Sequence, residues 1–189
     1  RSTSSTDSCA DMSHPVKHFI TITQHRHKVI AHCFRAGIGW QGLFHDLSKY
    51  SPAEFFAGAR YYQGTRSPGE AQREDVGYSE MWLHHQGRNK HHYEYWFDYV
   101  PAARAYGPVK MPVRYVAEMF CDRIAACKTY QKEKYTDRSA LDYFLRGQAR
   151  GRMHPETAAL LEGWLRVLAE QGEAHAFALV RQAVKQKTY

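Results

Sequence analysis

After Pro112 the apolar residues Val113, Val116, Ala117, Phe120, Ile124 and Ala125 recur at spacings of one, three and four, and this stripe constrains the fold more than any other pattern in the chain. Such spacing lays the residues along one side of a 3.6-residue helix, and a stripe of that kind has to be buried against further helices. The remaining punctuation is helical as well. Ser13-His14-Pro15 opens a helix, with the proline in the first turn where its missing N–H is not needed. That helix is expected to reach Ala36 and stop at Gly37, with His18, Ile22, His25, Val29 and His32 on one face. A short helix is expected over 40–45. Ser51-Pro52-Ala53-Glu54 and Ser67-Pro68-Gly69-Glu70 read as capping boxes, with a loop at 63–66 between the helices they open.

Residues 70–96 read as mostly helical, broken or kinked at Gly77 and Gly87, and 100–111 as irregular because of Pro101, Gly107 and Pro108. Further helices are expected over 139–146, 155–171 and 173–185. No alternation of the kind that marks paired strands interrupts this series. The expected fold class is therefore all-α, a single-domain bundle of about seven or eight helices, and 189 residues suffice for one such domain with a sizeable core. Residues 1–11 are rich in Ser and Thr and contain no Met, so they are expected to be a disordered tail or a non-native remnant. The domain proper is then 12–189, beginning at Met12.

The formal charge of +7 favours anionic partners, either small phosphorylated molecules or nucleic acid. Cys9, Cys33, Cys121 and Cys127 form no Cys-x-x-Cys pair, which argues against a thiolate zinc site. The last three sit in apolar helical patterns as small core residues, so a reducing cytoplasm is the expected setting. No apolar run approaches the roughly 18 residues that span a bilayer, and no signal peptide is visible, so no membrane partner is expected. A homo-oligomer is compatible with all of this. Trp40, Trp82, Trp96 and Trp164 read as core residues.

Chemistry concentrates on histidine and aspartate. The run Gly42-Leu43-Phe44-His45-Asp46-Leu47-Ser48-Lys49 holds adjacent imidazole and carboxylate groups, which cannot both enter an apolar core without a partner; a divalent metal suits both. All but two of the twelve histidines lie between His14 and His92, and four fall in His84-His85-Gln86-Gly87-Arg88-Asn89-Lys90-His91-His92. His84 with His91, and His85 with His92, are seven apart and would share a face of a continuous helix. Glu118 stands four residues before Asp122, on the same helical face, where it could orient a ligand or accept a proton from water. Lys49 could reach a substrate phosphate as a point charge or pair with a carboxylate such as Glu54. Arg88, Asn89 and Lys90 could bind an anion or form a polar turn, with Arg88 the better phosphate fork. His32 reads as a hydrogen-bonded core residue or a second layer behind a ligand, and His154 and His175 as structural.

The order His25-Arg26-His27-Lys28-Val29, then His45-Asp46-Leu47-Ser48-Lys49, then Asp122 on a late helix resembles the HD superfamily of metal-dependent phosphohydrolases. The resemblance covers about residues 14–130 and implies His25, His45, Asp46 and Asp122 as metal ligands. More closely, 42–55 and 82–96 are similar to a group of bacterial proteins in which the patterns HDLSKYSP-EF and HH-x-x-RNKHH-x-EYW recur together, and to which no reaction is assigned. Dinuclear HD enzymes carry two further histidines between the dyad and the last Asp; His84, His85, His91 and His92 are the candidates here, with Asn89 beside them as a second-metal or substrate contact. Single-metal HD nucleotidases often place an acid just after the dyad, where this chain has Lys49.

A mixed set of imidazoles and carboxylates suits Mn, Fe, Co, Ni or Zn better than Ca, as one ion or two. The leading expectation is hydrolysis of a phosphoester in a small phosphorylated or nucleotide-like substrate through metal-activated water, with Lys49, Arg88 and Glu118 as the catalytic candidates. The alternatives are an HD-type diiron oxygenase and, least favoured, a basic helical module that binds nucleic acid.

Overall fold

The computed structural model describes residues 14–189. The expected tail at 1–11, the start at Met12, Cys9 and Ser13 lie outside these residues. Among the described residues the chain forms nine α-helices and one two-stranded sheet. The helices are α1 (Pro15–Arg35), α2 (Gly39–Leu43), α3 (Pro52–Arg60), α4 (Pro68–Val76), α5 (Glu80–Gln86), α6 (Val113–Gln131), α7 (Ser139–Arg146), α8 (Ala149–Arg152) and α9 (Pro155–Gln186). The fold is an all-α bundle in one domain, as its periodicity requires.

The core lies where α1, α6, α7 and α9 meet. Val29 and Cys33 of α1, Val116, Phe120, Cys121 and Ile124 of α6, Phe144 of α7, and Leu161, Leu165, Leu168 and Val180 of α9 are fully buried. Each large side chain among them contributes about 1.5–3 kcal/mol on leaving water. The stripe that follows Pro112 is thus the central seam, and it holds α6 firmly enough for Glu118 and Asp122 on the same helix to be fixed in direction. Helix α1 lies against it with His32 Nδ1 3.3 Å from the carbonyl of Cys121. Ala36 caps α1, and Gly37 follows at φ +81°, a conformation that costs a residue with a Cβ. Gly172 bends α9 in the same way, at φ +81° and ψ 174°, where a break between two helices was expected.

Three expectations are corrected. Phe97–Val100 (β1) and Ala105–Pro108 (β2) pair antiparallel in a hairpin, with Tyr99 opposite Tyr106. Gly107 and Pro108 read as breakers, yet in an isolated hairpin every strand is an edge, and an edge tolerates them. Ser51 and Ser67 precede α3 and α4, but neither side chain caps its helix; Glu54 turns inward instead. Finally, the breaks expected at Gly77 and Gly87 are present, ending α4 and α5, but the residues that follow Gly87 do not resume an α-helix. Helix α5 ends at Gln86, and 87–92 folds back as a tight turn, so the seven-residue helical phase expected for the four histidines does not apply. Trp164 is core as expected, whereas Trp40 is 81% exposed. No described helix is long and apolar enough to cross a membrane.

Candidate metal centre

The dyad sits in the bend that follows α2. Gly42 packs so closely on Cys33 of α1 that a Cβ at position 42 would collide with it, and this contact lays α2 on α1. The Arg26 guanidinium donates to the carbonyls of Leu43 and His45, the latter at 3.1 Å, and pins the loop from below. Asp46 then takes a left-handed backbone, φ 53° and ψ 26°, before a 3-10 turn over Leu47–Tyr50. Aspartate is one of the few residues that tolerate this region, and the turn it makes sends its carboxylate inward beside the His45 ring.

Two groups of donors meet at Asp46. The first is His25, His45, Asp46 and Asp122; the second is Asp46, His85, His91 and His92. Asp46 Oδ2 lies 3.2 Å from His45 Nε2 and 4.0 Å from His25 Nε2, and Asp122 Oδ1 lies 3.0 Å from His25 Nε2 and 3.6 Å from His45 Nε2. Asp46 Oδ1 faces the other way, 3.3 Å from His85 Nε2 and 3.4 Å from His91 Nε2. One carboxylate therefore offers one oxygen to each group.

These close approaches are not hydrogen bonds. Nε2 of His25, His45, His85, His91 and His92 and both Asp46 oxygens are buried without a hydrogen-bond partner. Asp46 Oδ2 has the Lys49 ammonium beside it at 2.6 Å; the other six atoms, at about 1–3 kcal/mol each, would cost on the order of 10 kcal/mol, comparable with the whole stability of a domain. The geometry explains what they are for. Donors about 2.1 Å from a common cation, subtending angles between a right angle and the tetrahedral one, stand about 3.0–3.4 Å apart and point at the ion rather than at each other. The residues therefore fit a metal ion, and the mixed N/O set can hold one in each group.

A third grouping, His45, His91 and Glu118, is of a different kind. Glu118 Oε1 lies 2.9 Å from His45 Nδ1 and 3.3 Å from His91 Nδ1, and accepts the Nδ1–H of His45. It thereby turns Nε2 of His45 toward the first group, and its position does the same for His91 and the second. Its other oxygen accepts from Gln41 of α2. Glu54 is the counterpart beyond His85, whose Nδ1–H donates to Glu54 Oε2 at 2.8 Å, while His84 donates to Oε1 at 2.6 Å. A carboxylate behind a ligand imidazole fixes its tautomer and raises its basicity.

The charges are arranged to match. Burial pushes the Asp46 carboxyl up, but His45, Lys49 and His85 outweigh it and hold the group well below the usual carboxylate range. Asp122 is likewise held well below it by His25 and His45 against burial, and Glu118 is brought down to about 2 by His45 and His91 against burial. Burial favours neutral His45, yet Asp46, Asp122 and Glu118 together raise it well above its ordinary value. Metal-free protein thus places protons where a cation would stand, and loading a cation releases them. Burial lowers His25 and His92, which keeps both imidazoles neutral and ready to donate.

The candidate residues divide clearly. His25, His45, Asp46, Asp122, His85, His91 and His92 come together, with Glu118 behind them. Lys49 Nζ stands 2.6 Å from Asp46 Oδ2, so its ion pair is with the dyad and not with Glu54. His84 is turned onto Glu54, and Asn89 donates to Ser48 Oγ and the His85 carbonyl, both at 2.8 Å, so neither is a donor to the ions. Arg88 is exposed, and one of its guanidinium N–H groups donates to the carbonyl of His84 at 3.3 Å. Glu54 as an orienting carboxylate was missed because Ser-Pro-x-Glu is also the spelling of a capping box.

A family model described as "Family of unknown function (DUF5662)" matches residues 14–167, which takes in every residue of both groups. No curated protein and no solved structure matches the chain.

Proposed function

Since the chain belongs to the DUF5662 family, whose function is unknown, its chemistry has to be argued from the site, and we propose a metal-dependent phosphohydrolase of the HD type with two ions sharing Asp46. The observation that carries this reading is the division of the Asp46 carboxylate, one oxygen toward His25, His45 and Asp122 and the other toward His85 and His91. The fold-back at 87–92 supports the reading by bringing His91 round to the same Asp46 oxygen as His85.

His25, His45, Asp46 and Asp122 would hold one ion, and Asp46, His85, His91 and His92 the other. When bound, the cations supply an acidified water and Lewis acidity toward a phosphoryl oxygen. The chain supplies the rest. Lys49, kept charged by Asp46 and Asp122 despite burial, neutralises negative charge that develops on the phosphoryl group. Glu118 and Glu54 hold the imidazoles in direction. The Asp122 side chain, 18% exposed, and Lys49, 30% exposed, mark where a substrate enters, because the Asp46, His25, His45, His85 and His91 side chains are 8% exposed or less. The substrate class is a small phosphorylated molecule.

A two-ion centre rich in histidine also supports a second reading, a diiron oxygenase of the HD type. One experiment separates the two: metal analysis of protein prepared with Mn, Fe, Co, Ni or Zn, followed by phosphoester hydrolysis and O2 consumption. The expected result is about two ions per chain with hydrolysis, both lost in Asp46→Asn, a substitution that keeps a residue tolerant of the left-handed backbone. Two irons with O2 uptake and no hydrolysis would move the assignment to the oxygenase, and Asp46→Asn that keeps full metal would refute both.

A further inference from the structure

Between the end of α1 and the half of α9 beyond Gly172 lies a groove of about 700 Å³. Arg35 forms one wall, and a strip of α9 from Ala174 to Gln186 forms the other. Arg35 is ten residues past the ligand His25 on α1, about 15 Å along the helix, so the groove is apart from the metal centre. Its cations are held in place by the fold. The Arg35 guanidinium lies 4.0 Å from the centre of the Phe177 ring and donates to Glu173. The Arg181 stem passes so near Gly37 that a Cβ there would touch its Cγ. Its Nε donates to the carbonyl of Arg35 at 2.9 Å and its Nη2 to that of Phe34 at 3.4 Å. Those acceptors are uncharged, so the positive charge of Arg181 is not cancelled. Lys185, one turn further along α9, makes no ion pair among the described residues. Glu173 has to serve Lys128 as well as Arg35. No Asp or Glu lines the groove, and none occurs in 174–189.

We propose that this groove is a second ligand site, separate from the metal centre, and that it takes a small polyphosphate, free or as the tail of a nucleotide. Its volume falls among those of small-molecule sites, and its α9 wall is about 18 Å long. Arg181 and Lys185 stand about 6 Å apart along the helix axis, with Arg35 on the opposite wall. Charges set so closely suit a short anion that carries several of its own, and guanidinium N–H groups bind phosphate oxygens strongly. Ala174 and Ala178 leave an apolar floor beside them on which a base can lie. A long nucleic-acid strand fits less well, because Glu170 and Glu173 stand at the Ala174 end and repel a polyanion that continues past it.

The test is calorimetric titration at low salt with inorganic tripolyphosphate, with ATP and with a single-stranded oligonucleotide, on wild-type protein and on Asp46→Asn, in which the centre is disabled. Metal content is measured before and after. Tripolyphosphate and ATP are expected to bind Asp46→Asn, and Arg181→Gln and Lys185→Gln, made in both backgrounds, each to weaken that binding about tenfold, the scale of one charge-assisted hydrogen bond. Tighter binding of ATP than of tripolyphosphate assigns the ligand as a nucleotide; equal or weaker binding assigns a free polyphosphate. Arg181 also holds the last carbonyls of α1, so a thermal melt accompanies its variant. Lys185 is exposed, and its variant keeps the test open if Arg181→Gln melts early. Loss of binding in Asp46→Asn alone would put the phosphate at the metal centre and overturn the proposal. So would binding that neither groove substitution weakens, or an oligonucleotide that binds more tightly than either small probe.

Discussion

Removing the Glu118 carboxylate should weaken both ions at once, because Oε1 of that one side chain faces Nδ1 of a ligand in each group, His45 at 2.9 Å and His91 at 3.3 Å. In Glu118→Ala both imidazoles lose their acceptor and a buried Nδ1–H is stranded beside each ion. Loss of such an orienting partner costs 10–100-fold in metal affinity, or about 1.4–2.7 kcal/mol. Glu118→Gln keeps an amide oxygen that can accept but loses the charge, so its loss should fall near about tenfold, with Glu118→Ala nearer about a hundredfold. Competitive titration with a chromogenic zinc chelator resolves the two binding steps, and a thermal melt of the metal-free variants shows that the fold is intact. The expected pattern is a graded loss in both steps, Ala worse than Gln. A loss confined to one step, or equal loss for Ala and Gln, would refute the argument that one oxygen serves both groups.

Two further predictions concern the frame around the centre. Burial first, and Lys128 second, hold the His32 imidazole at about 4 rather than 6.5, so the unfolded chain takes up a proton that the folded chain refuses as pH falls through this window. Stability is therefore lost as pH falls from about 6.5 toward 4. Between pH 7.5 and 5.0 wild-type protein in EDTA should lose about 2 kcal/mol more than His32→Gln in urea unfolding; parallel profiles would show that His32 is not the group responsible. Gly42→Ala drives a methyl group into Cys33 and should cost about 1–3 kcal/mol, lowering Tm by roughly 2–12 °C, and a wild-type Tm would show that α2 does not rest on α1 as closely as described.

Much of this centre was legible in the sequence because the resemblance to the HD superfamily marks its first four members, and their positions explain why they converge. His25 shares a helical face with Ile22 and Val29, so the burial of those two carries it inward. His45 and Asp46 are adjacent, and Asp122 sits on the helix whose apolar stripe is the clearest in the chain. The second group was legible only as a collection of histidines. Which of them pair depends on a turn at 87–92 that no helical phase anticipates, and the turn selects His85 with His91 while sending His84 to Glu54. Long-range partners were hidden for the same reason. The approach of Arg73 to His92 through Trp82 brings together α4, α5 and the turn that follows it. The hairpin went unseen because its Gly107 and Pro108 are the usual marks of a loop.

The left-handed turn at Asp46 has a consequence for how fast the protein can be loaded. The direction in which Asp46 leaves the main chain is set by that backbone, and Arg26 braces the same stretch through the Leu43 and His45 carbonyls. Capture of an ion therefore asks for no rebuilding of the loop, since its backbone was set when the chain folded. Arriving cations meet a socket already cut to shape, and the entropy of assembling it has been spent beforehand.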